Sequence, residues 1–161
     1  MSATPLPSAK ETREVLAGLL GREVSVLTGG PMVDPAGPGG AVVAEYISDQ
    51  MKLAAIIVMD VAMAARAGAA IALMPSGTSE AAVADGELTD VLLENAGEIL
   101  NVLASLFNAE GAPHLRLNAV HAPNDALPGD VAPWVMAYVP RLDIECDVTG
   151  YGPGNLSVLV I

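Results

Sequence analysis

Between Ala9 and Leu20 the apolar residues Val15, Leu16, Leu19 and Leu20 recur at helical spacing, and Gly21 closes the segment. Arg22 to Thr28 reads as a strand. TGGPMVDPAGPGG, Thr28 to Gly40, holds three prolines and five glycines and is predicted as loop. Ala41 to Ser48 and Leu53 to Met59 are strand-like runs, close enough in sequence to pair as antiparallel neighbours. Val61 to Met74 is predicted as an Ala-rich helix with Asp60 as its N-cap and Pro75 beyond its end. Ala, Gly and Met on every side of it predict close packing. SGTSEAAVADGE reads as a connector with room for a short turn of helix, and Leu88 to Phe107 as a long helix closed by Gly111 and Pro113. His114 to His121 and Trp134 to Val139 are predicted strands, and Leu142 to Val148 and Leu156 to Ile161 a last hairpin around GYGPGN. The order predicts an α+β fold, a mostly antiparallel sheet with helices packed on it. Residues 1–8, Pro-rich and polar, are expected to form a flexible tail, and residues 9–161 a single domain.

The long helix carries a second pattern. Glu87, Asp90, Glu94, Glu98, Asn101, Ser105 and Asn108 are spaced 3, 4, 4, 3, 4 and 3, which puts them in one stripe on one side. Off the stripe only Thr89, Asn95 and Gly97 are not apolar. The helix should therefore be buried around most of its circumference and open along one line. A solvated helix face ordinarily mixes signs, with Glu followed by Lys a turn later. This stripe has acids, amides and a hydroxyl, and no Lys or Arg. Such a column suits contact with a positively charged group better than it suits self-stabilisation. The plainer reading, that it is only the solvated face of an amphipathic helix, stands beside it.

Composition narrows the classes. Nineteen acids against seven bases give a net charge of −12, which excludes nucleic acid and anionic membrane surfaces as natural partners. Aromatics are 3%, so the core must be built from Ala, Val, Leu, Ile and Met. One cysteine, Cys146, allows no intrachain disulfide and no thiolate metal cluster. The N-terminus lacks the pattern of a signal peptide. Leu53 to Met74 is apolar enough to resemble a membrane span, but Asp60 and Arg66 interrupt it at about 3 kcal/mol each. A cytoplasmic protein is expected.

The phrase GEILN, Gly97 to Asn101, resembles the E-x-x-N signature of the CheC, CheX and FliY chemotaxis phosphatases, most nearly the CheX-like type with a single motif. The element order also resembles that family, including the apolar strand that runs into an Ala-rich helix, IIVMDVAMAARAGAAIALMP. The resemblance covers about Ala9 to Ile161. It implies a protein that binds a phosphorylated CheY-type response regulator and speeds loss of its aspartyl phosphate. Glu98 and Asn101 would be the catalytic pair. Glu98 would engage a lysine of the regulator, and Asn101 would reach the phosphoryl group and hold the attacking water. Glu94, Glu98, Asn101 and Ser105 would form the partner-binding line. No cofactor would be bound by this chain, and the Mg²⁺ would sit on the regulator. CheX-like relatives imply a homodimer, for which the apolar fraction of 52% leaves room. Two positions depart from the family pattern. Glu94 stands where Asp or Ser is common, and Pro123 falls one residue early. These departures keep a second reading open, a non-catalytic adaptor that binds a response regulator or a flagellar-switch component through the acidic face.

Other constellations are weaker. His114 and His121, seven apart in one predicted strand, should face opposite ways and are poor co-ligands. Asp143, Glu145 and Asp147 alternate along a strand and could face a hard cation, or simply water. The Gly-rich loop lacks the Lys-Ser/Thr pair of a Walker loop. Cys146 lies among apolar alternates and reads as an inert buried thiol.

Overall fold

The computed structural model describes residues 4–161. Helix α1, Ala9–Leu20, begins with a capping box: Ser8 Oγ accepts from the Glu11 N–H and Glu11 Oε1 from the Ser8 N–H. Strand β1 comes next at Val24–Thr28, then the loop through Gly40. Strands β2, Ala41–Ser48, and β3, Leu53–Asp60, pair antiparallel with Ala41 opposite Asp60. Asp60 ends β3 and caps helix α2, Val61–Ile71, accepting from the Met63 N–H at 2.7 Å. Helices α3, Ser76–Asp85, and α4, Asp90–Leu103, come after it, and a 3-10 turn over Ala104–Phe107 extends α4. Strands β4, Leu115–His121, β5, Arg141–Val148, and β6, Gly152–Val160, complete the chain.

The six strands form one sheet in the order β1-β5-β6-β3-β2-β4, every neighbouring pair antiparallel. All eight residues of β2 are buried. That is why β2 and β3 read as continuous apolar runs: both faces of the sheet are covered there. Leu16 of α1, Met63 and Ala67 of α2, and Ile99 and Leu103 of α4 pack on one face, against Tyr46, Ile57 and Val158. On the other face Val33, Val131 and Val135 from two long loops cover Val43, Ile56, Val58 and Leu159.

The expected α+β architecture, with helices on a mostly antiparallel sheet, is the one observed. Four local expectations are corrected. The connector SGTSEAAVADGE contains a full helix of ten residues, α3, closed by Gly86. Its only buried residues are Ser79 and Ala82, too small to make a visible apolar period. Trp134 to Val139 is not a strand. It is a 3-10 turn over Ala132–Trp134 continued by further turns, flanked by Pro133 and Pro140, neither of which can donate to a ladder. Its apolar residues divide between the second face and solvent: Val135 is buried and Tyr138 is 96% exposed. The long helix changes pitch at Ala104, and the Ala-rich helix stops at Ile71 rather than Met74. The first three residues of the expected tail lie outside the described residues. Within Thr4 to Ser8, Pro7 is buried and Ser8 caps α1. No helix among the described residues is long and apolar enough to cross a membrane.

Candidate functional site

Helix α4 buries Ala96, Ile99, Leu100 and Leu103 against α2 and the sheet, and Leu92 against Ala65 and Ala69 of α2 and Ala82 of α3. Gly68 of α2 sets the approach. A β-carbon there would lie 2.9 Å from the Leu92 carbonyl oxygen, so only glycine lets the helices come this close. Three polar anchors fix the orientation of α4. Thr89 Oγ1 caps its start, accepting from the Leu92 N–H at 3.2 Å. Asn95 Nδ2 donates to the Gly68 carbonyl at 3.0 Å. At the far end the Ala104 N–H turns to the Asn101 and Val102 carbonyls, and the buried Tyr46 hydroxyl donates to Leu100 O at 2.6 Å. Burial pushes the Tyr46 phenol far above its usual value, so it stays protonated and keeps donating.

With that side fixed, the stripe is turned outward. Glu87, Asp90, Glu94, Glu98, Asn101, Ser105 and Asn108 are all exposed. Among the described residues the side chains of Glu94, Glu98, Asn101 and Ser105 take part in no hydrogen bond or ion pair. Ser105 lies in the 3-10 turn rather than on α4 proper. Asn108 differs: its amide brackets Leu115, accepting from the N–H at 2.8 Å and donating to the carbonyl at 3.3 Å, so it fastens β4 to the end of the turn.

Glu98 and Asn101 line none of five shallow surface cavities of about 230 to 470 Å³. One of these, about 280 Å³, lies at the N-terminus of the helix, bordered by Glu87, Asp90, Leu93 and Pro123. A carboxylate and a carboxamide one turn apart on an open surface hold no substrate by themselves. The carboxamide can accept from one group and donate to another without titrating. The carboxylate lacks a counter-charge on its own helix. Any chemistry at this pair needs the cation and the reacting group to arrive on another molecule.

The remaining candidates resolve plainly. His121 is hydrogen-bonded to Glu45 across the β2–β4 pair, while His114 is exposed just before β4. Asp143 is held by Arg141, at 2.9 Å from both Nε and Nη2, and accepts from Ser157 Oγ at 2.6 Å. Of the three alternating carboxylates only Glu145 and Asp147 face water, and no group of three metal-ligating side chains occurs among the described residues. Cys146 is fully buried, and burial pushes its thiol up to about 12, with Asp60 and Glu145 adding to the effect. Tyr46 and Asn95, which hold α4 in place, do not stand out in the sequence; a tyrosine within an apolar strand and an asparagine beside an apolar stripe are the available signals.

No protein-family model and no curated protein sequence matches this chain. Solved structures do. A chain of the FliM–SpeE complex from H. pylori superposes with a TM-score of 0.64 at 11% identity, covering 94% of this chain and 80% of that one. FliY from Thermotoga maritima gives 0.58 at 17% identity, with 92% and 82% covered. The chemotaxis protein CheX from Vibrio vulnificus gives 0.53 at 10% identity, with 94% and 95% covered. The fold is CheC/CheX/FliY-like. Within that fold the E-x-x-N pair of this chain lies on α4, on the side away from the sheet.

Proposed function

We propose that this CheX-like domain dephosphorylates a CheY-type response regulator. The observation that carries the reading is the exposed pair of Glu98 and Asn101, side by side on a helix held by its anchors and free of side-chain partners among the described residues. An aspartyl phosphate already has a good leaving group. What it lacks is a water held in line with the bond that breaks, and such reactions are helped chiefly by positioning and charge stabilisation. Asn101 would accept from that water and donate to a phosphoryl oxygen. Glu98 would meet a lysine of the regulator, which keeps the carboxylate from repelling the phosphate. The regulator supplies the acyl phosphate and its Mg²⁺, which is why an open surface on this side suffices. Glu94 and Ser105 extend the contact along the same line.

Asn101→Ala should abolish acceleration of phosphate loss while most of the affinity survives, whereas Glu98→Lys should lose both. Full acceleration by Asn101→Ala would sink the assignment. A second reading has its own support. FliM, a neighbour in fold, is seen in complex with SpeE, and Glu94 departs from the phosphatase pattern. On that reading the chain is an adaptor that binds a regulator or flagellar-switch component. Binding lost in Glu98→Lys, with no acceleration by the wild type, would select it.

A further inference from the structure

Three helices of this protein end in the same way. In each, an N–H beyond the helix reaches back five residues: Arg22 to Ala17 at the end of α1, Met74 to Ala69 at the end of α2, and Glu87 to Ala82 at the end of α3. This closure puts the residue before that N–H in the left-handed conformation, where a β-carbon is strained and glycine is the usual occupant. After α1 it is Gly21, φ 66°, and after α3 it is Gly86, φ 67°. After α2 it is Leu73, φ 55°. Its side chain is 76% exposed, so neither conformation nor packing within the chain accounts for a leucine there.

The position of Leu73 bears on the candidate site. The next residue, Met74, meets Asn95 of α4, with Sδ 3.9 Å from the Nδ2 that also donates to Gly68 O. At 3.6 residues per turn, Asn95 lies about 40° around α4 from Val91 and about 60° from Glu98. The end of α2 therefore borders the stripe on its Glu98 side. The same border carries Val91, 53% exposed, and Val102, 42% exposed. Apolar side chains thus flank an acidic line on which Asp90, Glu94 and Glu98 have no neighbouring cation in the helix.

We infer that Leu73 is the apolar anchor by which the phosphorylated receiver domain docks, inserting beside the lysine that Glu98 engages. The inference rests on the dephosphorylation reading, and it adds the second half of the partner's chemistry: a surface with a cation next to an apolar depression. The acidic line selects the cation, and Leu73 with Val91 selects its apolar border. Truncating a well-buried interface anchor commonly weakens binding tenfold or more, whereas trimming an exposed bystander does not.

The test uses the full chain and CheY-type receiver domains phosphorylated with acetyl phosphate in Mg²⁺. Leu73→Asn is the informative variant, because asparagine tolerates the left-handed conformation and removes the apolar group. Leu27→Asn is the control, since Leu27 is 68% exposed on the edge strand β1, away from α4. The protein concentration giving half-maximal acceleration should rise about tenfold or more in Leu73→Asn and stay at the wild-type value in Leu27→Asn. The melting temperature of Leu73→Asn should equal or exceed that of the wild type. A half-maximal concentration unchanged in Leu73→Asn would overturn the anchor while leaving the dephosphorylation reading intact. A lowered melting temperature would overturn it too, by giving Leu73 a role in the fold. A wild type that neither binds nor accelerates any receiver would overturn the underlying reading, and the anchor with it.

Discussion

Tyr46→Phe removes a single oxygen from the core, and that oxygen holds the end of α4. Tyr46 is fully buried in β2, its ring packed against Phe107 with centroids 5.1 Å apart. That ring contact survives the substitution. The loss is the 2.6 Å hydrogen bond to the Leu100 carbonyl. The carbonyl cannot turn to the Ala104 N–H, which is committed to Asn101 and Val102 where the helix tightens into its 3-10 turn. A buried acceptor left without a donor costs about 1–3 kcal/mol, more than the net worth of an ordinary hydrogen bond. For a chain of this size that corresponds to a fall of roughly 2 to 12 °C in melting temperature. The urea midpoint should fall with little change in slope, because the surface exposed on unfolding is the same. Since Asn101 comes directly after Leu100, loosening this carbonyl should also reduce any acceleration of phosphate loss by the variant. A Tyr46→Phe protein that melts with the wild type would refute the role of this hydroxyl at the end of α4.

Gly68→Ala should destabilise by about 1–3 kcal/mol, seen in the same urea titration, because its β-carbon meets the Leu92 backbone and neither helix can yield without moving the other. Cys146 should resist alkylation in the native state at pH 8, with labelling only on unfolding, because its thiol is buried and held up to about 12. The same shift fixes a sign. The unfolded thiol releases its proton near its usual value of 9.0 and the folded one near 12, so between these values the native state binds more protons. This contribution is complete below pH 9.0 and declines as pH rises toward 12, and Cys146→Ala should flatten that part of the stability–pH curve. Glu98→Lys should leave the stability within about 0.5 kcal/mol of wild type in a thermal melt, since the side chain is exposed and makes no ion pair among the described residues. A large loss would show that Glu98 holds the fold.

Much of this is legible in the residue order because the signals are local. Asp60 announces its cap, Gly21 the end of α1, and the 3-4 spacing from Glu87 to Asn108 the outward line of α4. Where pattern fails, burial depends on distant partners. The helix α3 buries only a serine and an alanine, so no period of large side chains marks it. Trp134 to Val139 has the composition of a strand, but the flanking Pro133 and Pro140 and its place over the second face make it a cover instead. Two of the three anchors of α4 reach α2 and β2, and nothing in the local sequence around Leu100 announces that a tyrosine 54 positions away will meet its carbonyl. Leu73 is equally hidden, because left-handed geometry at a helix end is normally signalled by glycine and here is not.

If the proposed function is right, Asn101 acts on a phosphoryl group presented by another protein. Single-turnover decay of Mg²⁺-bound, phosphorylated CheY-type receivers reads this step without intermediaries. Each receiver would be taken in turn, with saturating wild type or Asn101→Ala. Decay should be about tenfold faster or more with the wild type, and should stay at the intrinsic rate with Asn101→Ala although the complex still forms. Equal acceleration by both proteins, or none by the wild type with any receiver that binds it, would contradict a role for Asn101 in the chemistry.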